Sequence, residues 1–114
     1  MEDCVFCKIV EGEIPAKKVY EDEDVLAFDD VTPQAPVHTL VIPKKHVATL
    51  NDIGTGDADL MGKITLAAIK VAKDKGLGET GYRLVTNCLE DGGQAVFHIH
   101  THVLGGRSMH WPPG

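Results

Sequence analysis

Histidine stands at every second position through His98, His100 and His102, and Ile99, Thr101 and Val103 occupy the places between and after. In an extended strand alternate side chains share a face, so residues two apart lie about 6.6–6.8 Å from each other. The row predicts a strand over 96–104 that ends at Gly105-Gly106, with three imidazoles on one surface and Ile99, Thr101 and Val103 turned into a core. Just upstream, Asp91-Gly92-Gly93-Gln94 reads as a turn whose backbone can approach a ligand closely, because its glycines lack Cβ atoms. Imidazole suits three roles: nucleotidyl or phosphoryl transfer, metal binding, and structural packing. The glycine turn favours the first, since main-chain N–H groups can hold phosphate oxygens while a neutral histidine attacks phosphorus. Neighbouring imidazoles also discourage one another's protonation, which keeps at least one neutral near pH 7.

The rest of the chain bounds what surrounds this row. At 114 residues it is expected to form one domain, 1–114, with a single core. Val5, Phe6 and Ile9 suit a short helix ending near Gly12. Lys18-Val19-Tyr20 and Val25-Leu26-Ala27-Phe28 read as a hairpin across the acidic turn Glu21–Asp24, followed by a third strand over 37–42 that stops at Pro43. One long helix is predicted, with Asp57 and Asp59 at its start, an apolar stripe of Leu60, Ile64, Ala67, Ala68 and Val71, and Gly76 at its close. Residues 82–86 make a fourth strand. Hairpins with inserted helices point to an α+β domain with a mainly antiparallel sheet.

Composition narrows the partners. A formal net charge of −6 argues against long nucleic-acid backbones, but small nucleotides remain open to a locally positive pocket. Three cysteines do not suggest a disulfide framework. The start Met1-Glu2-Asp3 lacks the pattern of a signal peptide, and no apolar stretch is long enough for a membrane span. The expected location is the cytosol, with the nucleus as a further compartment, and no membrane partner is expected.

His98-Ile99-His100-Thr101-His102-Val103-Leu104 resembles the motif of the histidine triad superfamily, and the chain is similar to its Hint branch of purine nucleoside phosphoramidases. The likeness extends over Gly12-Glu13-Ile14-Pro15-Ala16, Leu26-Ala27-Phe28-Asp29-Asp30, Pro33-Gln34-Ala35-Pro36, residues 40–46 and the tail His110-Trp111-Pro112-Pro113-Gly114. The resemblance implies a HIT-like fold: a five-stranded antiparallel sheet with one long and one short helix, two copies joining as a homodimer with one continuous sheet. His102 speaks for hydrolysis, because the transferase branch usually carries glutamine at that place. Trp111 would dock near the partner's active site.

Roles follow from the resemblance residue by residue. His100 would attack the α-phosphorus of a substrate such as adenosine 5′-phosphoramidate or AMP-lysine, expelling the amine and forming a nucleotidyl-histidine that water hydrolyses. Gly93 and Gln94 N–H groups, the Gln94 amide and His102 would donate to the transition state. His98 and His38 would orient the reactive imidazole and set its tautomer. Asp30 would accept from the ribose hydroxyls, with Val5, Phe6, Ile9, Phe28, Val31 and Leu40 as the slot for a purine base. Asn87 matches a phosphate contact. Ala95 stands where Hint proteins usually carry serine, and a missing donor of this kind lowers rates by up to about 10²–10³ if nothing replaces it.

Cys4-Val5-Phe6-Cys7 forms a C-x-x-C pair, which alone can be a zinc half-site or a reduced pair packing on a helix. The resemblance implies a structural zinc completed by His46 and His98, with no metal or other cofactor required for the chemistry. Two other activities stay open: a dinucleoside polyphosphate hydrolase, and a nucleotide- or zinc-binding interaction module with little turnover.

Overall fold

Alternating apolar positions and turn residues organise the chain around a sheet, and the computed structural model describes residues 3–114. The chain enters through helix α1 (Val5–Val10), which buries Phe6, Cys7 and Ile9. Strands β1 (Lys18–Glu21) and β2 (Val25–Asp29) follow as an antiparallel hairpin. Its turn is held by Asp22, whose Oδ1 accepts from the N–H groups of Asp24 and Val25 at 2.8 Å each. Then come β3 (Val37–Pro43), α2 (Ala58–Asp74), β4 (Tyr82–Thr86), α3 (Leu89–Gly92) and β5 (Thr101–Gly105). The strands form one antiparallel sheet in the order β1-β2-β3-β5-β4.

Each face of the sheet is covered by a helix, which is why β2 and β3 are buried almost along their whole length. On one face, Ile64, Ala67, Ala68, Val71 and Ala72 of α2 pack with Val25, Ala27, Val41, Ile99 and Val103. On the other, Phe6 and Ile9 of α1 pack with Leu26, Phe28, Leu40 and Ile42. Full burial of a side chain such as Ile64 or Val71 is worth about 1.5–3 kcal/mol. Helix α2 ends in a Schellman motif: Gly76, at φ +81°, donates to Lys73 O at 3.0 Å, and Leu77 donates to Ala72 O at 2.9 Å. That reversal carries Leu77 back into the core, where it is 4% exposed.

Two sequence expectations need correction. The fifth strand begins at Thr101 and not near Val96. The β3–β5 register pairs Val41 with Thr101, so the next pair would set Ile99 against Pro43, which has no N–H to offer. Ile99 N–H donates instead to Val47 O at 2.8 Å, and the Pro43 carbonyl is taken by the His98 imidazole. The predicted glycine turn is also partly helical, since Asp91 and Gly92 close the one-turn helix α3, a third helix beside the expected long and short ones.

Candidate active site

Only His102 of the three alternating histidines lies in regular strand; His98 and His100 sit in the extended run before it. The alternation still holds where it matters. Ile99, Thr101 and Val103 are buried, Ile99 and Val103 in the α2-side core, while His100 faces the α1 side, its ring 5.1 Å from that of Phe6 and nearly perpendicular to it. The His102 ring lies 5.0 Å from that of His100.

Each imidazole has a different second partner, and those partners set the tautomers. His100 Nδ1 lies 2.8 Å from the His98 carbonyl, so it carries the proton and donates. Nε2 of His100 then keeps its lone pair. Burial holds the His100 pKa below the ordinary histidine value, against the opposing pull of that carbonyl. His38 Nδ1 accepts the Gln34 N–H at 3.0 Å, which places the His38 proton on Nε2, 2.8 Å from His102 Nδ1. His102 therefore accepts at Nδ1 and carries its own proton on Nε2. Burial first, and the neighbouring His100 and His38 second, push the His102 pKa down to about 4.

The His100 and His102 rings border a cavity of about 370 Å³. Its walls are mainly apolar and include Val5, Phe6, Ile9, Phe28, Val31 and Leu40, with Asp30 and Ala95 at the rim. These eight expected site residues are thus brought together with His100 and His102. Asp30 Oδ1 accepts from Thr32 N–H at 2.8 Å, and its Oδ2 lies 3.4 Å from His38 Nε2. Ile14, Pro15, Ala16, Asp29 and Val96 complete the lining and were not anticipated from the sequence. The apolar Ile14 two residues past Gly12 is the available signal, since a hydrophobic contact often accompanies a glycine-ended helix.

The structure departs from expectation at several residues. The Gly93 N–H donates to Glu90 O at 3.0 Å and the Gln94 N–H to Leu89 O at 3.0 Å. The Gln94 amide is likewise spent, donating to Ala48 O at 2.7 Å and Val96 O at 3.1 Å and accepting from Leu89 N–H at 2.9 Å. These donors hold α3 and its flanks in place and are not free for a phosphate. His98 orients His100 through its carbonyl and not its ring, and His38 orients His102 and not His100. Asn87 lies outside the cavity lining, although the β4–β5 register, Val85 against His102, carries it to the level of His100. The place expected for Trp111 is at a partner copy's site; in its own chain it is 83% exposed and outside the cavity lining.

Behind the row lies a second cluster. Donor atoms of Cys4, Cys7, His46 and His98 all fall within 4.8 Å of one another. His98 Nδ1 is 3.3 Å from Cys4 Sγ, 3.5 Å from Cys7 Sγ and 3.2 Å from His46 Nδ1, and Cys7 Sγ is 3.4 Å from His46 Nδ1. Four such ligands around tetrahedral zinc would be about 3.3–3.8 Å apart, given metal–nitrogen and metal–sulfur bonds of about 2.0–2.3 Å. The residues fit. His98 Nε2 donates to the Pro43 carbonyl at 2.7 Å, which leaves Nδ1 unprotonated and aimed at the cluster, the arrangement of a metal-ligating histidine. Burial, reinforced by Cys4, raises the Cys7 thiol to about 11, so without a metal that thiol stays protonated. Asp30, His38 and His102 also gather ligand-type atoms, but the His38 nitrogen facing that group carries a proton, so this trio does not fit a metal.

The family model for the HIT domain matches residues 11–109. An uncharacterized HIT-like protein of Synechococcus elongatus is 52% identical over 113 residues, covering 99% of this chain and 98% of the relative. Among solved structures, a HIT family hydrolase from Legionella pneumophila superposes with a TM-score of 0.96 at 57% identity, covering 98% of this chain and all of the other. A histidine triad protein from Clostridium difficile gives 0.91 at 51% identity, with 95% and 94% covered. A histidine triad nucleotide-binding protein from Candida albicans gives 0.83 at 34%, with 96% and 83% covered.

Proposed function

Because this chain belongs to the HIT domain family, we propose that it hydrolyses purine nucleoside phosphoramidates through a nucleotidyl-histidine intermediate. One geometry carries this: His100 presents an unprotonated Nε2 beside an apolar cavity, with its other nitrogen held by the His98 carbonyl. A purine base suits the apolar walls, and the Asp30 carboxylate at the rim suits a ribose diol. The nucleotide-binding name of the Candida albicans neighbour supports the same ligand class.

In the first step His100 Nε2 forms a bond to phosphorus while the P–N bond breaks, and the substrate nitrogen, already protonated by solvent, leaves as a neutral amine. The imidazole becomes cationic. Its Nδ1 proton stays bonded to the His98 carbonyl, which stabilises that charge. His102 Nε2–H would donate to a phosphoryl oxygen, since His102 borders the cavity beside His100. Water then attacks phosphorus, the Nε2–P bond breaks, a proton passes to solvent, and His100 returns to its starting state.

Zinc held by Cys4, Cys7, His46 and His98 would be structural, since four protein ligands leave no open position for water. Two copies would join along β4, whose outer edge has no neighbouring strand among the described residues, bringing the exposed Trp111 of one copy to the cavity of the other. No helix of the described residues is long and apolar enough to cross a membrane.

A nucleotide-binding module with little turnover is the second reading, favoured by the committed donors of Gly93 and Gln94 and by the absent hydroxyl at Ala95. Mixing the protein with adenosine 5′-phosphoramidate separates the two. Turnover should fall at least ~10³-fold in His100→Ala, while AMP binding stays within a few-fold. Equal rates in wild type and variant would overturn the proposed enzyme.

A further inference from the structure

We propose that Arg107 is a positioning residue for His102, acting through Gln34 and His38; this rests on the reading of His102 as a donor to the phosphoryl group. The connection is a continuous series of hydrogen bonds. Arg107 Nη2 donates to the Gln34 carbonyl at 3.0 Å, the Gln34 N–H donates to His38 Nδ1 at 3.0 Å, and His38 Nε2 donates to His102 Nδ1 at 2.8 Å.

The loop that carries Gln34 has few other freedoms. Pro33 and Pro36 restrict the backbone on either side of it. Asp30 Oδ1 accepts the Thr32 N–H at 2.8 Å, and Gln34 Nε2 donates to the Thr32 carbonyl at 3.2 Å, which closes the loop upon itself. The Arg107 guanidinium holds the Gln34 carbonyl, on the other side of the same Cα from the N–H that His38 accepts. Gly106 makes that reach possible. Its φ is +89°, and a Cβ there would come within 2.8 Å of the Pro36 ring, so only glycine allows the turn after β5 to lie against the loop. The second Arg107 nitrogen, Nη1, donates to Ser108 O at 3.0 Å, which steadies the guanidinium in the same turn.

His38 and His102 can share their proton in two senses. With the Gln34 N–H in place, His38 must accept at Nδ1 and donate at Nε2, and His102 keeps a proton on the nitrogen that faces the cavity. When that N–H swings away, His38 can carry its proton on Nδ1 and accept at Nε2. His102 then donates from Nδ1, and a bare lone pair faces the phosphoryl oxygens. Arg107 thus selects the first arrangement over the second.

The test uses the full chain with Arg107→Ala and Arg107→Lys. Long-range ¹H–¹⁵N spectra of the histidine rings report the tautomers of His38 and His102, and adenosine 5′-phosphoramidate reports turnover. In Arg107→Ala the second His102 tautomer should appear and kcat should fall about 3- to 10-fold, the worth of one hydrogen bond, with KM within about twofold. Lysine can still donate to the Gln34 carbonyl, so Arg107→Lys should recover most of kcat and the original tautomer. Unchanged tautomers in Arg107→Ala overturn the proposal, whether kcat falls or not, because a fall alone marks a packing role. A tautomer change with no fall in kcat overturns it as well. If the wild type turns over no phosphoramidate, the proposed activity fails, and the ring spectra still decide whether Arg107 sets the proton.

Discussion

The Cys4/Cys7/His46/His98 cluster and the Asp30/His38/His102 cluster each gather ligand-type atoms within 4.8 Å, yet their imidazoles are wired in opposite senses. In the first, His98 gives its Nε2 proton to the Pro43 carbonyl and turns a lone pair inward. In the second, a backbone N–H occupies His38 Nδ1 and forces a proton into the space between the rings. The first gathers four residues and the second three, at similar spacing. The main-chain partner on the far nitrogen decides which group can hold a cation and which can only pass hydrogen bonds.

Metal titration is the strongest way to break this contrast. Cobalt(II) added to the reduced protein should bind with the absorption of thiolate ligation, and Cys4→Ser should weaken that binding at least ~10²-fold. His38→Ala should leave it unchanged. Equal loss in both variants would mean that the two clusters form one site.

Acid stability sharpens the contrast from the other side. The folded-state pKa of His102, about 4, lies below the ordinary histidine value near 6.5, so the unfolded chain binds more protons between these limits. Stability from this group is complete above pH 6.5 and lost as pH falls toward 4. After allowing for partial exposure the loss is on the order of 2 kcal/mol, with His98 and His100 acting in the same direction. Denaturant midpoints measured across that range should show a shallower acid slope in His102→Gln. An identical slope would place the titration elsewhere.

The smallest effect tests the wall between the regions. Ala95 borders the cavity beside Val96, and Ala95→Ser should raise phosphoramidate kcat by about 10-fold or less without altering cobalt binding. No gain in turnover would mean that the missing hydroxyl is already replaced by another donor.

Much of this was legible in the residues themselves. The fourth strand coincides with its predicted span, and the α2 stripe and Gly76 stop follow directly from periodicity and backbone freedom. The apolar slot and Asp30 could be placed only through family resemblance, because Phe6, Phe28 and Leu40 would be core in most chains. What escaped was chemistry done by the main chain. Nothing in a histidine's identity tells that its carbonyl, and not its ring, will hold the next imidazole, as at His98. Gln94 is opaque for a related reason: folding brings the carbonyls of Ala48 and Leu89 to it, and they take up its side-chain and main-chain donors, which look free beside two glycines. The late start of β5 depended on Pro43, far away in sequence but opposite in the sheet.

His98 belongs to both neighbourhoods at once, its ring among the thiols and its carbonyl bonded to the His100 imidazole. The distance between the two is one residue. Anyone grafting the reactive row onto another scaffold would have to carry the thiols and the Pro43 corner along with it. Transplanted alone, the row would lose the peptide group that keeps its middle ring ready.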